Sequence, residues 1–317
     1  MIDRVVAALC LIAAPVCATP PVLNWPIDCA LNETCFIQQY MDLDDTDGVR
    51  DFAGGRVTYD GHKGTDIRLT TRKAMQAGVN VLAATAGRVK GLRDGMVDRM
   101  LRTEADRAAI NGKDCGNGVL IVHADGWETQ YCHMKQGSLT VVKDQTVQAG
   151  DVLGQVGLSG RTQFPHVHIA VRKDGQKVDP FAPDANLWAP MLQDALAYQP
   201  TQIINLGLAD GAIKMDDIAE GKFESFTPQP TDPALVAYMR VINMVTGDKI
   251  RLTLTGPQGQ IITKTFDPVN NSKAQQMYYT GQKRPEAGWP VGAYQARAEV
   301  LRGGAVVDTQ TYNSPAE

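Results

Sequence analysis

The chain has 317 residues, 44% hydrophobic and 21% charged, an ordinary globular composition with room for roughly two domains. Lys and Arg number 31 against 35 Asp and Glu, a net charge of -4, which supplies neither the basic footprint of a nucleic-acid binder nor the polybasic surface of a membrane-docking protein. The 30 Gly and 17 Pro are scattered rather than periodic, which excludes collagen-like and low-complexity chains.

Residues 1–18 read as a secretory signal. Arg4 and the amino terminus supply positive charge, Val5 to Ala14 is apolar but too short to span a bilayer, and Val16-Cys17-Ala18 offers small residues for cleavage. Thr19-Pro20-Pro21 then breaks any continuing helix. No later stretch is apolar enough for a membrane span, so the expected location is periplasmic or secreted. In that oxidising compartment Cys29, Cys35, Cys115 and Cys132 allow three pairings, and locality favours Cys29–Cys35 with Cys115–Cys132. A thiolate metal site is the competing reading, but no CxxC spacing supports it.

Residues 19–50 form a Pro- and Asp-rich lead-in held by its own disulfide. From 51 to 184 short strands separated by glycines dominate, among them Val119–Val122, Leu139–Val142 and Val152–Val156. Within them Val97, Met100, Leu101, Ala105 and Ala108 recur at helical spacing, which predicts an amphipathic helical insertion over 97–110. Leu187–Leu196 reads as a second short helix within a linker spanning 185–229. In the last part, 230–317, Ile250–Thr255 and Tyr294–Val300 alternate apolar and polar residues around Gly-rich turns, the pattern of a small β-sandwich. That part contains no histidine, so chemistry is expected before it. The fold class is therefore mainly β: an antiparallel sheet domain with a short helical insertion, followed by the sandwich.

The chain has five histidines, and four fall in three compact motifs. In Gly61-His62-Lys63-Gly64-Thr65-Asp66, an imidazole and a carboxylate four residues apart would stand about 13 Å apart on an extended strand. Gly64 permits the turn that brings both inward. In Pro165-His166-Val167-His168-Ile169-Ala170-Val171, alternation puts the two histidines on one face and the branched apolar residues on the other. In Tyr131-Cys132-His133-Met134, the same alternation places Tyr131 and His133 together and turns Cys132 away. His123, before Ala124-Asp125-Gly126, reads as a turn-edge residue. Two His and one Asp with a fourth coordination position open are a catalytic rather than structural zinc set, and two more histidines could handle protons.

These motifs resemble the lysostaphin/LytM-type zinc metallopeptidases. The pattern H-x-x-x-D, Gly116-Asn117-Gly118, Tyr131-x-His133, Val156-Gly157-x-Ser159-Gly160 and Pro165-His166-x-His168 occurs in the family's order over about residues 55–180. By position the resemblance implies His62, Asp66 and His168 as ligands of one zinc ion, and His133 and His166 as catalytic histidines. It also implies an antiparallel sheet with the metal at the floor of a groove. Trp289-Pro290-Val291-Gly292 is similar to the immunoglobulin-like appendage of some relatives. Phe164 departs from the small residue common before Pro-His, and the insertion is longer than a simple connection.

The implied function is an exported zinc endopeptidase acting on peptide crosslinks of peptidoglycan, with the D-alanyl–diaminopimelate bond as the natural target. One alternative is a non-catalytic regulator of wall amidases whose site is covered by the insertion. The other is a secreted zinc peptidase acting on glycine-rich proteins. The C-terminal sandwich is a candidate surface for a protein partner.

Overall fold

The computed structural model describes residues 19–110 and 112–315, so the expected signal at 1–18 lies outside it. The first half opens with β1 (Cys35–Gln39), β2 (Thr65–Leu69), α1 (Arg72–Ala77), β3 (Asn80–Leu82) and β4 (Gly87–Arg93). The insertion carries α2 (Glu104–Ala109) and leads to β5 (Asn117–Val122) and β6 (Trp127–Met134). Then come β7 (Thr146–Val147), β8 (Val152–Gln155), β9 (His166–Lys173) and β10 (Gln176–Val178). One antiparallel sheet runs β1-β2-β9-β6-β5-β4-β7, with β10 pairing to β9, while β3 and β8 form a separate ribbon.

Alternation sorts this sheet. Ile67 on β2, Val119 and Ile121 on β5, Tyr131 on β6, and Val167 and Ile169 on β9 are fully or almost fully buried in one apolar core. The opposite face of β2 and β9 carries Asp66 against His168 and Arg68 against His166 as direct cross-strand partners. The lead-in belongs to this body: β1 is its edge strand, and Leu23 and Ile27 enter its core. Both expected disulfides form, Cys29–Cys35 and Cys115–Cys132. The second closes a loop over a separation of 17 residues, which the chain-entropy account values at roughly 3 kcal/mol.

The second half comprises β11 (Gln202–Ala209), α3 (Met215–Glu220), β12 (Ala234–Met244), β13 (Lys249–Gly256) and β14 (Gly259–Thr265). It ends with β15 (Lys273–Lys283), β16 (Gln295–Arg302) and β17 (Ala305–Asn313). A three-stranded sheet β11-β12-β15 faces a four-stranded sheet β14-β13-β16-β17. Leu235, Ala237, Met239 and Val241 on β12 meet Ile250, Leu252, Leu254, Ala296, Ala298 and Val300 in the sandwich core.

The other face of β12 docks on the first half. Ile242 packs with Ile204 and with Phe36 of β1. Arg240 Nη2 donates to the Thr70 carbonyl, and Asn243 Nδ2 donates to the Gln38 carbonyl at 2.9 Å. Beside them Thr71 Oγ1 lies 2.7 Å from Glu224 Oε1, and Arg72 pairs with Glu220.

Four expected segments differ from the structure. The helix expected over 97–110 shrinks to α2, because Thr103 and Asp106 form a capping box that starts it at Glu104. Upstream, Arg99 and Leu101 instead donate backbone N–H groups to the Leu158 and Thr162 carbonyls, an extended pairing. Leu139–Val142 is not a strand, although Thr140 N–H still reaches the Leu153 carbonyl at 3.1 Å. Leu187–Leu196 contains one 3-10 turn, Pro190–Leu192, rather than an α-helix. The stretch read as a linker, 185–229, holds β11 and α3, so the sandwich's first strand lies inside it.

Candidate active site

His62 sits in the loop entering β2, Asp66 is the second residue of that strand, and His168 lies opposite Asp66 on β9. Their donor atoms converge. His62 Nε2 is 3.1 Å from Asp66 Oδ1 and 3.2 Å from His168 Nδ1, and His168 Nδ1 is 2.7 Å from Asp66 Oδ1. A tetrahedral ion with bonds of about 2.0–2.1 Å sets its ligand atoms roughly 3.3 Å apart, so this nitrogen, nitrogen and oxygen set fits zinc. Gly64 makes the approach of the strands possible. A Cβ there would stand 2.3 Å from the Ile169 carbonyl oxygen and 2.8 Å from His168 Nε2. Its role is therefore close packing, while the positive φ of the turn belongs to Gly61.

The supporting shell fixes tautomers. His62 Nδ1 lies 2.6 Å from the Tyr40 carbonyl, which can only accept, so Nδ1 carries the hydrogen and Nε2 presents its lone pair. Asp42 holds the loop beneath it by accepting from the Gly61 N–H at 2.9 Å. Burial pushes the Asp66 carboxyl upward, but His62, His166 and a hydrogen bond from His168 outweigh it and hold it well below the usual range. For His62, burial opposes the charged form, and the carboxylate of Asp66 reverses that effect and raises the imidazole.

His133 and His166 join the cluster from two further segments. His166 Nδ1 donates to the Phe164 carbonyl at 2.9 Å, with Thr162 Oγ1 at 3.1 Å, and its Nε2 is 3.5 Å from Asp66 Oδ1. His133 Nδ1 donates to the Ser159 carbonyl at 2.9 Å, and its ring centroid is 4.5 Å from that of His166. Burial drives both imidazoles towards the neutral form, and less far for His166, where the nearby Asp66 carboxylate opposes it more strongly than it does at His133. Each can therefore accept a proton at Nε2.

His133 reaches the site by breaking alternation. Cys132 lies opposite His168 on the site face, and Tyr131 opposite Ile169 lies in the core, where its hydroxyl accepts from the Ala84 N–H at 2.8 Å. The expectation that Tyr131 and His133 share a face is therefore corrected. The register shifts by a bulge between β5 and β6, and His133 takes φ 63°, which turns its ring to the metal side.

The loop that receives His133 is built without side-chain bulk. Gly116, at φ 65°, and Gly160, at φ 80°, pack backbone to backbone, and a Cβ on Gly116 would stand 2.3 Å from the Ser159 carbonyl carbon. Ser159 Oγ accepts from the Asn117 N–H at 2.8 Å and donates to the Met134 carbonyl at 2.6 Å, fixing the carbonyl that orients His133.

Sequence reasoning did not single out Tyr40, Asp42, Asn117, Ser159 or Thr162 for these roles. Three of the supports are backbone carbonyls, of Tyr40, Ser159 and Phe164, which leave no residue-type signal. Phe164, the departure from the family pattern, has its ring 4.6 Å from that of His166 and lies under the Arg68 guanidinium at 4.5 Å. His123 stands apart, its ring nitrogens 2.7 Å from the Ala86 carbonyl and 2.9 Å from Thr129 Oγ1, as a turn-edge residue should.

Residues 60–180 match the sequence profile of Peptidase family M23. The DD-carboxypeptidase/endopeptidase Mpg of Neisseria meningitidis serogroup B is 43% identical over 65 residues, 20% of this chain and 14% of that protein. The cell division protein DipM of Caulobacter vibrioides is 44% identical over 71 residues, 20% of this chain and 11% of its own. The chain thus spans a small part of the length of these curated relatives. Among solved structures, the catalytic domain of lysostaphin from Staphylococcus simulans is 21% identical, over 40% of this chain and 80% of that one, with a TM-score of 0.29.

Proposed function

We propose, on the premise that residues 60–180 form an M23 peptidase domain, that the protein is an exported zinc metalloendopeptidase hydrolysing peptide crosslinks of peptidoglycan. The D-alanyl–diaminopimelate bond is its target, and zinc binds once per chain. One observation carries the reading: His62, Asp66 and His168 converge on a point beside two neutral, carbonyl-oriented imidazoles. The relatives' names, an endopeptidase and a cell division protein, favour the wall as substrate.

His62 Nε2, Asp66 Oδ1 and His168 Nδ1 would hold the ion and leave one side open. When bound, zinc lowers the pKa of a coordinated water and polarises a carbonyl. His133 and His166, with Nδ1 committed to carbonyl oxygens, use Nε2 to take a proton and then deliver it to the leaving amine. As imidazolium, either stabilises a developing oxyanion by hydrogen bonding. The carboxylate of Asp66 balances that transient charge, with His166 Nε2 already 3.5 Å away. Burial of four of the five side chains keeps these interactions out of bulk water, where they would be screened.

The test is incubation of the protein with purified diaminopimelate-type sacculi and mass spectrometry of the muropeptides. Crosslinked dimers should disappear in favour of monomers, with loss of the effect on adding a chelator. Intact dimers after incubation with the zinc-loaded protein would refute the substrate assignment.

A further inference from the structure

Alongside the metal cluster the insertion builds a second feature. A cleft of about 380 Å³ lies between residues 93–110 together with Lys113 on one side and Gly160 on the other. Its walls are apolar, and three cations line it, Arg93, Arg99 and Lys113, with no carboxylate among the lining residues. In a chain of net charge -4 that local sign is opposite to the whole.

The segregation has a structural cause. Two acids of the insertion, Asp94 and Asp98, are committed to backbone N–H groups outside it. Asp94 accepts from Gly137 and Leu139 at 2.7 and 3.2 Å, and Asp98 from Leu158 and Gln136 at 2.6 and 3.0 Å. Asp106 accepts from Thr103 and Arg102 at 2.9 and 3.1 Å, and its other oxygen stands 3.4 Å from Arg99. The Asp94 and Asp98 contacts fasten the insertion to the body of the domain, and Asp106 pairs with Arg99 from outside the cleft lining. The side chain of Arg99 is 55% exposed.

The cleft adjoins the chemistry through shared backbone. Arg93 Nε donates to the Gly116 carbonyl, one residue from the Cys115 carbonyl that receives the His133 N–H. Gly160 lines the cleft, and the preceding Ser159 carbonyl orients His133. The cleft and the metal cluster therefore share the Cys115–Gly116 and Ser159–Gly160 backbone on the His133 side.

We propose that this cleft is a substrate subsite that takes the free carboxylates of a peptide, with Arg99 and Lys113 as the specificity-determining cations. The assignment rests on the peptidase reading above and deepens it: the substrate is an anionic stem peptide, not a neutral glycine-rich one. Its methylenes lie on Met96, Leu101 and Ile110 while the carboxylates face the bases. Arg93 serves the loop as well as the cleft, so it is left unaltered in the test.

The test is calorimetric titration of the full zinc-loaded protein with a tetrapeptide, L-alanyl-D-isoglutamyl-diaminopimelyl-D-alanine, and with the same peptide carrying amides in place of its carboxylates. The free acid should bind about tenfold more tightly than the amide, as two favourable charge contacts allow. That ratio should fall to about unity in Arg99→Gln/Lys113→Gln and in Arg99→Glu/Lys113→Glu, and shrink in about 0.5 M salt. Equal binding of the two peptides, or a ratio unchanged in both double variants, would overturn the subsite. Sacculi left intact by a protein that keeps the charge-dependent ratio would remove the peptidase reading and leave the anion site. Cleavage with a ratio of unity would do the reverse.

Discussion

The two halves are both antiparallel β, yet they treat buried carboxylates in opposite ways. In the sandwich, buried carboxylates have guanidinium partners. Asp248, fully buried, meets Arg302 through both oxygens at 2.8 and 3.0 Å, and Glu299 meets Arg251 at 2.6 Å and Arg297 at 3.2 Å. In the sheet of the first half, Asp66 is surrounded by three imidazoles. Arg68, also buried, has Gln38, Gln275 and the Phe164 ring, with Nε unbonded. Closed ion pairs stabilise a scaffold. A carboxylate held by groups that can exchange protons or accept a metal supports reaction.

The comparison breaks most sharply at Asp66. Asp66→Ala should lower cleavage by at least about a thousandfold, the scale for losing a central charged group in a preorganised site. Metal content by mass spectrometry should fall with it, while the thermal transition of the sandwich stays in place. His133→Ala should cost about a hundred- to ten-thousandfold in kcat with zinc still bound, as removal of a general acid–base does. Retained kcat there would leave His166 as the sole base.

Asp248→Ala tests the other half. Removing the buried carboxylate that holds Arg302, Thr201 and the Val245 N–H should cost about 3 kcal/mol in chemical denaturation, with activity per folded molecule unchanged. A drop in kcat would mean that the sandwich governs the site through Gln275 and Arg68.

The smallest expected effect comes from Asp179, buried with Oδ1 accepting from the Phe181 N–H at 2.9 Å and its other oxygen unbonded. Burial pushes its carboxyl up to about 6, with Asp51 and Asp184 adding to the rise. The folded state therefore favours the protonated form. Its contribution is full below the unfolded value near 4 and is lost as pH rises through about 6. Asp179→Asn should gain about 2 kcal/mol at pH 7.5 relative to wild type, less than the roughly 3 kcal/mol of the full shift because the buried amide N–H groups also lack partners, and nothing at pH 3.5. Equal gains at both pH values would contradict that origin.

Much of the site is legible in sequence because strand alternation carries it. His166 and His168 fall on one face, with Val167 and Ile169 on the other, as the period of two requires. The family resemblance groups His133 with the other histidines, whereas alternation gives it the wrong local geometry, since a bulge with a positive φ has no period to detect. The helix over 97–110 followed a true apolar spacing, but Asp94 and Asp98 staple that stretch to neighbouring backbone, and capping at Thr103 decides where winding starts. Strand β11 escaped notice because Ile203, Ile204 and Leu208 are buried on both faces, which erases the alternation that marks a half-exposed strand.

The measurement closest to the central claim is a zinc titration of the metal-stripped protein, followed by bound metal and by crosslink cleavage in the same samples. Both should rise together and saturate at about one equivalent per chain, and neither should rise in His168→Ala. Cleavage by the metal-free protein, or one equivalent of zinc bound as tightly by His168→Ala, would contradict the site assigned to His62, Asp66 and His168.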